Sequence, residues 1–298
     1  MPITKSIEPA FSTQAGLATL GPELVALRVA LDATFLRWAA ECGAAPMLFP
    51  PLMRVEDLER FDYFRNFPQL PLLVAGLRPE CLHDVATSSV PLQSVPNGDL
   101  ATAVYALPSA ACYNIYLHFQ GAELTGPLYV TTVANCFRNE QRYDDLRRLW
   151  GFTMREIVCI GTRDEVQAHL TAFKGRVLGF GERLGLGLAV EVGSDPFYQP
   201  QSSRALLQQI FPQKEEFLYG GAVAIASVNF HRNFFGERCR IKASDGQLAF
   251  TGCVAFGLER WLHALLDRFG GDAKAAAAAV VSCQAEAEDP AGPSEPSL

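Results

Sequence analysis

The stretch richest in chemical groups runs from Cys136 to Phe152. Cys136-Phe137-Arg138-Asn139-Glu140 is followed by a polar segment and then by Arg148-Leu149-Trp150-Gly151-Phe152. Activating a carboxylate with a nucleoside triphosphate needs a cation at the α-phosphate and a second cation for the outer phosphates. It also needs an acceptor for the adenine amino group and an aromatic face for the ring. Arg138, Arg148, Glu140 and Phe152 match that set if a strand–loop–strand hairpin carries them. The four-residue run FRNE alone is weak, because an ordinary charged surface loop reads the same way.

Other groups are less decided. Asp195, in VGSDPFY, is either a pocket residue that meets a substrate polar group or a turn residue before proline. Glu215 and Glu216 precede a strand-like run, and either is a candidate for a magnesium ligand. His231, beside Arg232, reads equally as functional or as polar surface. Eight cysteines lie at 42, 81, 112, 136, 159, 239, 253 and 283, with no CxxC pair. Such spacing means free thiols, most of them small buried hydrophobes, and any zinc site must be assembled from distant positions.

The elements that must position these groups follow from periodicity. Apolar residues at helical spacing (Leu24, Leu27, Leu31, Phe35, Trp38) predict a long amphipathic helix over about 19–42. An apolar, Pro-rich stretch follows Gly43, and a mixed block continues to about Gly76, with a turn at Phe67–Pro68. From Tyr105 to Ile160, strand-like runs flank the polar loop NEQRYDDLRRLW. A helix is predicted over 164–184, capped by Thr162 or Asp164. Strand-like runs return at LAVEVG and FLYGGAVAIASVNF, and FTGCVAFGLERWLHALLDRFGG reads as a strand entering a helix. Antiparallel-looking strands grouped between helices predict an α+β fold. Residues 1–272 are read as the catalytic domain and 273–298 as a tail. Its alanine run is expected to extend the last helix, and its Pro/Ser/Glu end to be disordered.

Composition narrows the classes. The 298 residues are 49% hydrophobic, enough for a sizeable core. No apolar run approaches the roughly 20 residues that span a bilayer, so no membrane partner is expected. The start, MPITKSIEPAFSTQ, lacks the basic-then-apolar pattern of a secretion signal, and a soluble cytoplasmic protein is the expectation. The net charge of −7 without a basic block argues against an extended nucleic-acid surface, though not against one nucleotide held by a few arginines. Neither GxGxxG nor GxxxxGK[ST] is present, which leaves side chains to hold the nucleotide.

FRxE, loop, [RH]xxxF resembles motif 2 of class II aminoacyl-tRNA synthetases. FGLER, at 256–260, resembles motif 3 with Arg260 as its arginine, and CGAAPMLFPPLM, at 42–53, resembles motif 1 with Pro50. Within that class, PSAACYNIY, GFTMREI, ASVNFHRNFFGERCRI and TGCVAFGLER are most similar to a zinc-dependent seryl-type core, and above all to the amino acid:[carrier protein] ligases.

The resemblance implies a class II catalytic fold, an antiparallel sheet flanked by helices. It implies an adenylate-forming ligase that activates an amino acid with ATP and magnesium, then passes it to the phosphopantetheine thiol of a carrier protein. Arg138 and Arg260 are then the catalytic residues, and Arg138, Glu140, Arg148, Phe152 and Arg260 bind ATP. Arg138, Glu156 and Asp195 meet the amino acid, and Cys112, Glu156 and Cys253 hold zinc. Cys136 and Cys159, near the motif 2 strands, remain rival ligands. Two thiolates and a carboxylate leave a fourth zinc position open for the substrate amine. Glycine or alanine is the expected substrate, carried over from the family. LPSAAC stands where tRNA-dependent seryl enzymes have a TxE element, which weakens the case for serine. With one helix and a short leader before motif 1, and no basic appendage, a tRNA acceptor is disfavoured. A homodimer through motif 1 is implied. The alternatives are seryl-type tRNA aminoacylation, a non-catalytic synthetase-like regulatory subunit, and activation of an unusual amino acid in a dedicated pathway.

Overall fold

The structure is a computed structural model that describes residues 11–201 and 213–288. A hairpin of β1 (Phe11–Gln14) and β2 (Leu17–Leu20) leads into α1 (Pro22–Glu41). Short elements follow: β3 (Ala45–Pro46), β4 (Met53–Arg54), α2 (Val55–Arg60), α3 (Tyr63–Asn66), β5 (Leu73–Val74), α4 (Leu82–Thr87), β6 (Tyr105–Ala106) and α5 (Tyr113–His118). The long strands β7 (Leu128–Phe137) and β8 (Gly151–Gly161) precede α6 (Arg163–Arg183) and β9 (Ala189–Val192). The chain then runs through β10 (Lys214–Tyr219), β11 (Val223–Arg232), α7 (Phe234–Cys239), β12 (Phe250–Gly257), α8 (Leu258–Arg268) and α9 (Ala273–Glu288).

Seven strands form one sheet in the order β3-β7-β8-β12-β11-β10-β9, and all its pairings are antiparallel except that of β3 with β7. The three short strands β4, β6 and β5 make a separate sheet that sequence reading did not anticipate. Two-residue strands carry too few side chains for alternation to register.

The sheet is buried on both faces, and alternation along β8 sorts its side chains. Ile157 and Cys159 join the core beneath α1, α6, α8 and α9. Val158 and Ile160 face the opposite core, with Cys112, Tyr116 and Phe235. On the helical side, Phe35 of α1 stacks on Phe256 of β12 at 3.9 Å, and Trp38, Phe180 and Trp261 close around the pair. α1 keeps its predicted apolar stripe, and it starts at Pro22, where the missing N–H costs nothing. The segment from Thr19 to Leu20, expected to be helical, belongs to β2 instead. α6 is capped by Thr162, whose hydroxyl accepts from the Glu165 amide while the Glu165 carboxylate accepts from the Thr162 amide.

The alanine run differs from its expectation. It does not extend α8: Gly270 and Gly271, at φ +59° and +88°, turn the chain, and a separate helix α9 begins at Ala273. Ala273, Ala276, Val280 and Cys283 are buried in the same core as α1, so residues 273–283 are part of the packed body and not a tail. A stretch of alanines carries no amphipathic signal strong enough to reveal a buried face. The expected disorder of the Pro/Ser/Glu end lies outside the described residues, beyond 288.

His169 sits in this core at 6% exposure, with Nε2 3.4 Å from the Ile157 carbonyl oxygen. Burial pulls its pKa from 6.5 down to about 4. Between those values the unfolded chain holds a proton that the folded chain refuses, so stability falls as pH falls through that window. The contribution at its full extent is ~3 kcal/mol. A His169→Leu variant is therefore expected to lose about 2 kcal/mol less than wild type between pH 7 and pH 4.5 in urea denaturation. Equal losses would show that His169 does not drive the acid sensitivity.

Candidate functional site

The loop between β7 and β8 closes where the Arg138 amide donates to the Trp150 carbonyl at 3.0 Å. Arg138 is fixed from a distant segment: its Nε and one terminal nitrogen both donate to the Ser109 carbonyl, at 3.3 and 3.2 Å. Its guanidinium lies 5.1 Å from the centre of the Phe152 ring. Glu140 and Arg148 pair across the loop at 3.1 Å. Arg148 is half exposed, so the pair holds weakly and exchanges easily for a ligand. Arg260 enters from the first turn of α8 and donates to the carbonyls of Arg147 (2.9 Å) and Ala224 (3.0 Å). Burial lowers its pKa, and the nearby charge of Arg138 lowers it further. Arg138, Glu140, Arg148, Phe152 and Arg260 thus line one cavity. Three guanidiniums around a cavity repel one another until a polyanion enters, and triphosphate is such an anion.

A second cavity adjoins the first and shares Arg138, Met154, Lys214, Ser227 and Ala255 with it. Cys112, Glu156 and Cys253 line this second cavity. Their donor atoms all lie within 4.8 Å of one another, at exposures of 4%, 2% and 2%. Three separate elements bring them there. Cys112 caps the start of α5, Glu156 lies mid-strand in β8, and Cys253 is on the neighbouring β12. The register Ala255↔Glu156 and Cys253↔Val158 puts Cys253 diagonally across from Glu156 on the same face.

The cluster is short of positive charge. Glu156 accepts from the Ala111 amide at 2.9 Å through Oε1, while the buried Oε2 has no hydrogen-bond partner among the described residues. A buried carboxylate oxygen left so is costly unless a cation compensates it. The Cys112 thiol is pushed well up, first by its hydrogen bond with Cys253, then by burial and by Glu156. For Cys253, the hydrogen bond with Cys112 lowers the pKa, but burial and Glu156 outweigh it. Two sulfurs and one carboxylate oxygen at this spacing fit zinc, a borderline-soft ion that takes three protein ligands where a position is kept open.

The rival cysteines do not join. Cys159 points to the helical side of the sheet. Cys136 shares the site face but pairs with Phe152, four positions along β8 from Glu156 and its partner Thr132. Asp195 lies on the wall of the second cavity, 3.5 Å from Lys214 Nζ. Glu215 and Glu216 lie within β10 rather than before it, and alternation separates them. Glu216 faces the first cavity and pairs with Lys214 at 2.8 Å, whereas Glu215 pairs with Lys174 of α6 at 2.6 Å. Lys214, which reaches both cavities, belongs to no recognisable local pattern, and Asn229, beside Cys253, lies in the ASVNFHRNFFGERCRI segment without being singled out there.

A seven-stranded, mainly antiparallel sheet with helices on one face, and with these two joined cavities on the other, is the class II aminoacyl-tRNA synthetase catalytic fold. The chain superposes with a TM-score of 0.75 on M. kandleri SerRS in its complex with A. aeolicus tRNASec, at 22% identity, over 87% of this chain and 55% of that one. No protein-family model matches the chain. It is 34% identical over 244 residues to amino acid–[acyl-carrier-protein] ligase 1 of Bradyrhizobium diazoefficiens, covering 79% of this chain and 74% of the relative. Ligase 2 of the same organism is 34% identical over 238 residues, with 76% and 70% covered. The chain belongs to the amino acid–[acyl-carrier-protein] ligase family, and it is a ligase.

The residue beside Glu156 secures β8 from behind. Arg155, at 5% exposure, donates to both carboxylate oxygens of Asp32 on α1, at 2.5 and 2.8 Å, and to Thr131 Oγ1 at 3.1 Å. Thr131 Oγ1 in turn donates to the Glu156 carbonyl at 2.9 Å. Removing Asp32 would strand a buried guanidinium. Asp32→Ala is expected to cost about 3 kcal/mol in urea denaturation, and the double variant Asp32→Ala/Arg155→Met to recover part of that loss. A double variant no more stable than Asp32→Ala would show that the stranded charge is not the cause.

Proposed function

We propose that this protein activates a small amino acid, glycine or alanine, with ATP and transfers it to the phosphopantetheine thiol of a carrier protein. The observation that carries the reading is the junction of the two cavities at Arg138. A triphosphate among Arg138, Arg148 and Arg260 and an amino acid above Cys112, Glu156 and Cys253 would meet there. In the first step a carboxylate oxygen of the amino acid bonds to the α-phosphorus, the α–β bridge breaks, and pyrophosphate leaves. Arg138 neutralises charge on the α-phosphate, while Arg148 and Arg260 stabilise the departing pyrophosphate. Phe152 offers its face to adenine and Glu140 accepts from the adenine amino group. In the second step the thiol sulfur bonds to the activated carbonyl carbon and AMP leaves, with no covalent enzyme intermediate.

Cys112, Glu156 and Cys253 are the residues that would hold zinc, which supplies an open position for the substrate α-amino nitrogen. Glu216 is the acid of β10 available to magnesium, which offsets charge on the phosphates. Asp195 bounds the amino-acid side of the cavity. The relatives' names support a carrier-protein acceptor, and the likeness to a synthetase structure bound to tRNA makes tRNA the acceptor to test against it. No described helix is long and apolar enough to cross a membrane. The motif 1 segment is the surface a second copy would cover, since Pro50 is exposed and Leu48 is 82% exposed. The catalytic unit extends through α9, whose buried face completes the core beside α1.

Amino-acid-dependent ATP–pyrophosphate exchange on metal-analysed protein tests the activation step. Exchange is expected with glycine or alanine, along with one zinc per chain. Cys112→Ser and Cys253→Ser should each lose both, and Arg138→Ala should lose about 10²- to 10³-fold in kcat while keeping zinc. Zinc-replete protein that exchanges with no amino acid would overturn the activation reading. Labelled thioester on a phosphopantetheinylated carrier is the expected product, and labelled tRNA without it would move the acceptor to tRNA. Pro50→Asp is expected to give monomers of low activity by light scattering, and a fully active dimer would displace motif 1 from the interface.

A further inference from the structure

On the wall of the second cavity, beside Cys253, lies a hydrogen-bonded group centred on His231. His231, the next-to-last residue of β11, places Nε2 3.8 Å from Cys253 Sγ, within range of an N–H···S hydrogen bond. Its other ring nitrogen, Nδ1, lies 3.3 Å from the Tyr116 hydroxyl and 3.4 Å from Thr251 Oγ1. Tyr116 and Thr251 are both fully buried. The ring is clamped edge-on to Phe235, with centroids 5.1 Å apart, and to Tyr116 at 6.0 Å. From the other side, Asn229 Nδ2 reaches the same sulfur at 3.4 Å and is oriented by Ser227 Oγ at 3.0 Å.

Nδ1 has a single lone pair, which can take a proton from either the Tyr116 or the Thr251 hydroxyl. With Nδ1 accepting, the ring proton lies on Nε2, directed at the sulfur. His231 is not one of the residues whose donor atoms fall within the 4.8 Å group, so it acts on the cluster from outside. An N–H donor on a metal-bound thiolate draws charge from the sulfur and fixes its direction, which leaves the ion more attractive to an incoming amine.

We propose that His231, held as the Nε2–H tautomer by Tyr116 and Thr251, is a positioning residue that orients and partly neutralises the Cys253 thiolate for zinc binding. The inference rests on the zinc reading given above. It is tested by zinc affinity in chelator competition and by the sulfur-to-metal charge-transfer band of Co²⁺-substituted protein, neither of which needs turnover. His231→Phe, which preserves the ring packing against Phe235, is expected to weaken zinc about 10- to 100-fold and to shift the cobalt band. His231→Gln, whose amide can still donate, should keep most of the wild-type affinity. Thr251→Val and Tyr116→Phe together leave His231 in place but remove the donors on Nδ1; they should weaken zinc in the same direction, which guards against loss of folding in His231→Phe. Unchanged zinc affinity and an unshifted band in both His231→Phe and the hydroxyl variant would overturn the proposal. Wild-type protein that binds no zinc would overturn the metal reading and this inference with it.

Discussion

Glu156 places a carboxylate at 2% exposure in the middle of the sheet, with one oxygen satisfied by a backbone amide and the other, among the described residues, having only the Cys112 and Cys253 thiols near it. Few arrangements are costlier for a fold to maintain, because a low-dielectric interior penalises uncompensated negative charge. The surrounding geometry answers that constraint. β12 must lie beside β8 in the register that sets Cys253 diagonal to Glu156, and α5 must begin where Cys112 reaches the same point. Their donor atoms converge within 4.8 Å of one another, a spacing that suits a metal ligand set.

The two cavities carry different chemistry. The first concentrates Arg138, Arg148 and Arg260, whereas the second holds the buried donor cluster of Cys112, Glu156 and Cys253. Arg138 and Lys214 stand on the wall common to the two. Lys214 also ties Asp195 of one cavity to Glu216 of the other, so the charged walls are mechanically linked as well as adjacent. Catalysis by positioning depends on such fixed dipoles and charges, which need no reorganisation when the reacting groups arrive.

The helical face of the sheet supplies the rigidity. Phe35, Phe256, Trp38, Phe180 and Trp261 form a continuous aromatic cluster, and α9 closes the side of α1. Through Asp32 and Arg155, this layer grips β8 one residue from Glu156. Tight packing there limits how far the face carrying Cys112, Glu156 and Cys253 can deform.

Much of this was legible residue by residue. The 3.6-residue stripe of α1, the capping box of α6 and the alternating runs of β7 and β8 are local patterns, set by neighbours along the chain. The Arg138–Phe152 hairpin was readable for the same reason, and its likeness to a known motif brought in Arg260 and the cysteines far from it in sequence. Other features depend on partners that no local pattern specifies. Glu215 and Glu216 are chemically identical until strand phase points one at the cavity and the other at Lys174. Cys136 and Cys159 lost to Cys112 and Cys253 because of strand phase and register, and the alanine run became a core helix because a double glycine turned it back onto α1. His231 could be read either way from its neighbours in sequence, and it is β11 that lays it against Cys253. The sequence alone determined which chemistries this chain carries and which segments are helix or strand, since those follow from side-chain type and short-range periodicity. Which of several equivalent acids and thiols share one site was decided only by tertiary structure, because strand register and face are properties of the pairing and not of either strand.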